Sequence, residues 1–228
     1  MKVIEIFSSR QGEGIWTGVR STFIRIGGCN LRCRFCDTTY ASWRCESGED
    51  LDVEEITGWA VLYQNPHVVV TGGEPMLFGE TVQLTKLLAA RGFVVTIETN
   101  GTCDLPVECD LMSISPKMSN SVPRGTLTNF AREHDDIRFR PDVVRVLASR
   151  YRCQLKFVVG SEEDIREIDE YIAMVPNVAK NHVLLMPMAT NAETMHTKGE
   201  WIKVLCEDRG YSYCPRMHLE WYGGARGK

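Results

Sequence analysis

The sequence predicts an α/β fold: a partial, open (β/α) barrel of about six βα units, forming one domain over residues 1–228. Three observations lead there. Short apolar runs rich in β-branched residues alternate with segments whose apolar residues recur at helical spacing, as in βα units around a largely parallel sheet. Polar and glycine-rich motifs repeatedly follow those runs, at the strand ends where such sheets bind ligands. The units are too few for a closed eight-stranded barrel.

Taken in order, Thr22–Ile26 is a strand that runs directly into the segment Gly27–Thr38. Asp52 and Glu55 stand in capping-box register and open a helix over Val53–Gln64. The strand His67–Val70 ends at Thr71-Gly72-Gly73-Glu74-Pro75, and a helix over Glu80–Arg91 stops at Gly92 in the C′ position. Strand Val94–Ile97 ends at Glu98-Thr99-Asn100-Gly101, and strand Leu111–Ile114 at Ser115-Pro116-Lys117. Residues Met118–Arg140 mix prolines, glycines and both charge signs with little periodicity, the mark of an irregular insertion or lid. Proline at N1 opens a helix over Pro141–Ser149; strand Gln154–Val159 follows, then a helix over Glu162–Met174 capped by Ser161. A last strand, His182–Met186, precedes a helix ending before Gly210, and Gly223–Lys228 reads as an exposed, disordered tail.

A net charge of −4 gives the chain no general attraction for nucleic acid or anionic membrane, so a small-molecule substrate is expected. The first ten residues are too charged for a secretory signal and no apolar run is long enough to span a bilayer, so the expected location is the cytoplasm. Nine cysteines, an odd number with three close together, fit a metal site in a reducing compartment better than a disulfide framework. The other six, Cys45, Cys103, Cys109, Cys153, Cys206 and Cys214, are scattered and read as buried packing.

The most specific feature is Cys29-x3-Cys33-x2-Cys36 in a loop after a strand. Three thiolates can hold three irons of a four-iron cluster and leave the fourth open to a substrate or cofactor. The competing reading is a zinc site with Cys45 as fourth ligand, although zinc knuckles present paired cysteines at both ends of a loop.

The cysteine spacing resembles the signature of the radical S-adenosylmethionine (SAM) superfamily, whose thiolates bind a 4Fe-4S cluster that SAM chelates at the open iron. Arg10-Gln11-Gly12-Glu13-Gly14 ahead of Arg25 and the cysteines, with Thr-Gly-Gly-Glu-Pro, Glu-Thr-Asn-Gly, Ser-Pro-Lys and a histidine-bearing tail, narrows the resemblance to the 7-carboxy-7-deazaguanine synthase family. That resemblance implies a lyase that contracts 6-carboxy-5,6,7,8-tetrahydropterin to 7-carboxy-7-deazaguanine with loss of ammonia. A 5′-deoxyadenosyl radical from reductive SAM cleavage takes a hydrogen from C6 of the pterin.

By the same resemblance, Cys29, Cys33 and Cys36 hold the cluster, while Phe35, Cys36, Asp37, Gly73, Glu74, Ser115, Pro116 and Lys117 contact SAM. Thr38 carries a magnesium ion shared with the substrate carboxylate, consistent with the taste of Mg²⁺ for few protein oxygens. Arg10, Gln11, Gly12, Thr71 and His218 contact the pterin; Glu98 and Asn100, at a neighbouring strand end, are candidates for substrate recognition or proton transfer, Asn100 being assigned to the substrate and Glu98 to catalysis. Arg25 suits the pterin carboxylate, because a guanidinium binds a carboxylate through two parallel hydrogen bonds. A flavodoxin-type reductant and a homodimer are implied as partners. Two other classes remain: another radical SAM enzyme such as a glycyl-radical activase, and a zinc-stabilised binding module.

Overall fold

The computed structural model describes residues 1–43, 45–124 and 128–227. Its centre is a nine-stranded sheet in the order β3-β1-β2-β4-β5-β6-β7-β8-β9. The strands are β1 (Lys2–Arg10), β2 (Arg20–Ile26), β3 (Glu49–Asp50), β4 (His67–Gly72), β5 (Val94–Thr99), β6 (Leu111–Ile114), β7 (Cys153–Val159), β8 (Val183–Pro187) and β9 (Ser212–Tyr213). From β2 to β9 every pairing is parallel, while β1 and β3 add antiparallel strands at one edge. This is the expected open barrel, extended by β1, β3 and β9. The hairpin strand β1 escaped the sequence reading because its polar residues at 8–10 break the apolar alternation that marks a half-buried strand.

Helices α2 (Val53–Tyr63), α3 (Glu80–Ala90), α5 (Pro141–Arg150), α6 (Glu163–Ala173) and α7 (Ala192–Arg209) supply the crossovers. The capping box forms as expected: Asp52 Oδ1 accepts from Glu55 N at 2.8 Å and Glu55 Oε2 from Asp52 N at 2.9 Å. Ser161 does not cap α6; Asp164 Oδ2 instead accepts the N–H groups of Gly160 and Ser161, at 2.7 and 3.1 Å.

Alternation along each strand separates two environments. Ile24, Val70, Ile97, Leu155, Phe157 and Leu185 face the helices and form the main apolar core. The intervening residues, among them Arg25, Thr71, Glu98, Gln154 and Lys156, face the hollow of the sheet, so its interior is polar by sequence register alone.

Two expectations are corrected here. Within the insertion, the segment expected to be irregular carries a helix, α4 (Thr128–Arg138); Gly125–Leu127 lie outside the described residues. Charges outnumber its apolar residues, and it docks through polar groups: His134 is buried, and Arg138 binds Glu167 at 3.0 Å. The tail also has a defined course. After α8 (Met217–Tyr222), Arg226 bonds Glu5 at 3.1 Å and its guanidinium lies 4.1 Å from the Tyr40 ring centroid, while Lys228 lies outside the described residues.

Buried His67 sits between Ser21 Oγ at 2.7 Å and Thr96 Oγ1 at 2.8 Å, with Trp16 against its ring. Burial pushes its pKa down to about 4. The unfolded chain, titrating near ~6.5, therefore binds the proton more readily, and stability should fall as pH drops from about 6.5 toward 4. Urea unfolding followed by circular dichroism should show that decline, partly flattened in His67→Gln; an identical pH slope in the variant would remove the assignment.

Candidate active site

The cysteine loop leaves β2 and is pinned by the backbone of neighbouring segments. Gly28 N donates to Ala41 O at 2.8 Å, and Gly28 O accepts from Glu74 N at 2.8 Å. This crossing requires glycine: a Cβ on Gly73 would stand 2.0 Å from Gly28 O. The Thr71–Pro75 run therefore supports the loop by backbone contact.

Glu74 is fully buried, and its carboxylate accepts Met76 N at 2.9 Å, Thr99 Oγ1 at 2.7 Å and Asn100 N at 2.6 Å. It stitches the ends of β4 and β5 together instead of presenting itself to a ligand. Asn100 follows from this: its side chain donates to Asn30 Oδ1 at 3.0 Å and approaches Cys29 Sγ at 3.9 Å, placing it on the cysteine loop. Lys117 Nζ bonds Ser115 Oγ at 2.6 Å and Ser115 O at 2.8 Å beyond β6. Phe35 is half-buried and Pro116 buried beside the same edge.

All nine cysteines are free. Burial pushes the Cys29 thiol up to about 12 and Cys33 up to about 11. Such thiols ligate only when a metal charge displaces their protons.

Inside the barrel, loop 11–19 enters the hollow between β1 and β2. Gln11 Nε2 donates to Glu98 Oε1 at 3.1 Å, and Thr71 Oγ1 to Glu98 Oε2 at 2.8 Å. Glu13 takes Lys156 Nζ at 2.9 Å and Arg216 Nε at 3.2 Å, with His218 Nδ1 4.0 Å away. Burial alone would raise the Glu13 pKa, but the Lys156 and Arg216 charges hold it well below the usual carboxylate range. Gly12 packs under the tail so closely that a Cβ would lie 2.8 Å from His218 Nδ1. Arg216 also donates to Ala189 O at 2.6 Å and bonds Asp37, one residue past Cys36, so one guanidinium ties the hollow, the β8 end and the cysteine loop together.

Arg25 points into the hollow with its Nε on Glu5 Oε1 at 2.7 Å. Glu5 also accepts from Tyr40 at 2.9 Å, and the terminal nitrogens of Arg25 have no partner among the described residues. Thr38 opens the short helix α1 (Thr39–Ser42), its hydroxyl 3.8 Å from Cys36 Sγ. Arg10 lies at the exposed end of β1, its guanidinium 6.0 Å from the Trp221 ring centroid.

A family model describing the radical SAM superfamily matches residues 23–172. The chain is 40% identical over 227 residues to a 7-carboxy-7-deazaguanine synthase of Rhodopirellula baltica, with 99% of this chain and 88% of the relative covered. A Halobacterium salinarum protein of the same name is 36% identical over 236 residues, covering 99% of this chain and 91% of its own. The chain belongs to the 7-carboxy-7-deazaguanine synthase family.

Two solved structures share the fold of this family member. A crystal structure of QueE from Escherichia coli has a TM-score of 0.68 at 23% identity, covering 94% of this chain and 92% of that one. Streptococcus suis SuiB bound to its precursor peptide SuiA has a TM-score of 0.57 at 13% identity, covering 84% and 47%. Membership makes the chain a radical SAM lyase that uses a 4Fe-4S cluster and SAM.

Its residues fit that cluster: three free cysteines share one glycine-cradled loop. Cys45 lies outside that loop, and its Sγ donates to Ala41 O at 3.0 Å. Membership of the radical SAM superfamily, not the cysteine geometry, displaces the zinc-module reading.

The structure thus joins Gln11, Gly12, Thr71, Glu98 and His218 in one hollow, and adds residues to which the sequence reading gave no role: Glu13, Gln154, Lys156 and Arg216. Gln154 and Lys156 carried a signal, since two polar residues at alternate positions of an apolar strand must share a face. Arg216 carried none, as its partners are 203 and 179 residues away.

Proposed function

We propose that this chain converts 6-carboxy-5,6,7,8-tetrahydropterin to 7-carboxy-7-deazaguanine with loss of ammonia, in 7-deazaguanine (queuosine-type) biosynthesis. The observation that carries the reading is the polar hollow of Gln11, Glu98, Thr71, Glu13 and Lys156, which Arg216 links through Glu13 and Asp37 to the three-cysteine loop. When bound, cluster and SAM supply the radical that takes hydrogen from the substrate.

The protein's own residues bind and orient the substrate. Gln11 and Glu98 offer the donors and acceptors that match the edge of a flat amide-bearing ring. Glu98 also faces Lys156 Nζ at 3.5 Å, which gives the candidate proton-transfer carboxylate a cation at its side. Arg216, bonded to Glu13 and Asp37, closes the tail over the hollow and limits water entry.

SAM is assigned to Phe35–Asp37, the backbone of Gly73 and the segment Ser115–Lys117, with Glu74 and Asn100 acting as supports behind them. An anaerobic assay with reconstituted cluster, SAM and the pterin, with product identified by mass, tests the whole reading. SAM cleavage without pterin turnover would favour another radical SAM reaction, such as glycyl-radical activation.

Arg25 is assigned to the substrate carboxylate because Glu5 fixes its Nε and leaves its outer edge free to form the paired contact. Arg25→Ala should weaken pterin binding more than tenfold, since a charge-assisted pair contributes about 1.5–3 kcal/mol; an unchanged substrate Kd would remove that role. Thr38 is assigned one bond to Mg²⁺, with the substrate carboxylate as a further ligand. Chelating Mg²⁺ should then depress turnover and raise KM for the pterin, with restoration on adding it back; indifference to Mg²⁺ would discard the site.

A flavodoxin-type electron donor, a homodimer and a cytoplasmic setting are proposed from the family resemblance. The need for three reduced thiols supports the last. Among the described residues no helix is long and apolar enough to cross a membrane.

A further inference from the structure

Helix α4 lies outside the βα repeat, yet it reaches the cysteine loop at one point. His134, only 1% exposed, accepts the Arg32 backbone N–H at Nδ1 (3.0 Å) and meets Ser121 Oγ at Nε2 (2.8 Å). These contacts fix the tautomer. Accepting from Arg32 requires a lone pair on Nδ1, so Nε2 carries the proton and donates to Ser121 Oγ, whose own hydrogen goes to Met118 O at 2.6 Å.

The turn before α4 grips the next part of the loop. Arg34 N donates to Ser121 O at 2.9 Å, and Arg34 Nε to Asn120 O at 2.6 Å. This grip is anchored in the barrel itself. Asn120 Nδ2 bonds Val158 O of β7 at 2.9 Å, while Arg138 bonds Lys117 O at 3.2 Å and Glu167 of α6 at 3.0 Å.

Arg32 and Arg34 flank Cys33, so the residues on either side of one thiol are held from the same direction by backbone hydrogen bonds. We propose that His134 is a positioning residue for the iron–sulfur cluster: by accepting the Arg32 amide it holds the loop in the course that presents Cys33 beside Cys29 and Cys36. The proposal rests on the cluster reading and deepens it. It gives the 118–140 insertion a task at the metal site, which neither its composition nor its place in the chain suggests.

The test is the rate at which anaerobically reconstituted full-length protein gives up iron to a ferrous chelator, read from the coloured chelate. His134→Leu should release iron at least fivefold faster than wild type. His134→Gln, whose Oε1 can accept from Arg32 and whose Nε2 can donate to Ser121, should stay within twofold of wild type. Ile202→Val trims a buried side chain of α7 away from the loop and should release at the wild-type rate, which separates loop positioning from a general loss of stability. If His134→Leu does not fold, Ser121→Ala, which frees the tautomer without emptying the site, should release at least twofold faster. Equal rates for wild type and His134→Leu, or for wild type and Ser121→Ala where only that variant folds, overturn the proposal. So does failure of His134→Gln to restore retention, or Ile202→Val releasing as fast as His134→Leu. A wild-type protein that takes up no iron would overturn the cluster reading itself, an outcome distinct from these.

Discussion

Alanine at any one of Cys29, Cys33 or Cys36 is expected to abolish the brown iron–sulfur absorbance and SAM cleavage together. The loop offers three thiolates to a four-iron cluster and has none to spare. Cys45 cannot substitute, because its thiol is engaged with Ala41 O and its Cβ packs near Gly27. Burial favours the protonated thiols at Cys29 and Cys33, so the three act as ligands through the metal charge they share, and losing one weakens the hold on the other two. Iron and sulfide per chain, the visible spectrum and 5′-deoxyadenosine formed under chemical reduction are the measurements. Cys45→Ala should retain all three signals. Full SAM cleavage by any of the three loop variants would dismiss the mechanism.

Lys156→Met should be the most damaging single change outside that loop. The Lys156 side chain is 5% exposed, and its Nζ is shared between Glu13 at 2.9 Å and Glu98 at 3.5 Å. Burial alone would lower its pKa, but Glu13 and Glu98 hold it above the usual lysine range, just as Lys156 and Arg216 hold Glu13 below the carboxylate range. The sign of the linkage follows for each partner. Glu13 contributes stability that is present above about 4.3 and is lost as pH falls; Lys156 contributes stability that is present below about 10.4 and is lost as pH rises. At neutral pH both are charged, and removing the cation leaves Glu13 with Arg216 alone and Glu98 with no ion-pair partner among the described residues.

Breaking a buried pair on one side costs about 3–5 kcal/mol, a large part of a domain's ~5–15 kcal/mol. For a chain of this size that is a fall in Tm of roughly 6–20 °C. Turnover should fall with it, because Glu98 loses the cation that keeps it beside Gln11 and Thr71. Adding Glu13→Gln to Lys156→Met should recover part of the Tm, since the buried carboxylate that lost one of its two cations is then neutral, while Arg216 keeps Asp37. A double variant no more stable than Lys156→Met would show that the pair does not act as a buried ionic unit.

The parts of this enzyme legible in its sequence are those where neighbours in the chain are also neighbours in space. The Cys29–Cys36 spacing, the Asp52–Glu55 capping box and the Gly72-Gly73 crossing are each set within a few residues. Strand ends could be placed because a buried parallel strand is a continuous apolar run, and a polar or glycine-rich motif terminates it. Helix α4 was hidden for the converse reason: it is held by His134, Arg138 and their distant partners, and its few apolar residues are outnumbered by charges. The course of the tail was hidden likewise, since Arg226 looks solvated until Glu5 and Tyr40 are seen beside it.

Family, chemistry and the parallel βα core were written into short-range pattern: a thiol triplet after a strand, βα alternation, and glycines where backbones cross. The assignment of roles was not. Folding turned Glu74 inward to stitch two strand ends, drew Asn100 onto the cysteine loop, and made Glu13, Lys156 and Arg216 one ionic unit across the barrel. The reason is electrostatic. A charge interacts with whatever lies within a few ångströms of it, and for residues some 140 to 200 positions apart that distance is fixed by the packed sheet, not by the order of the chain.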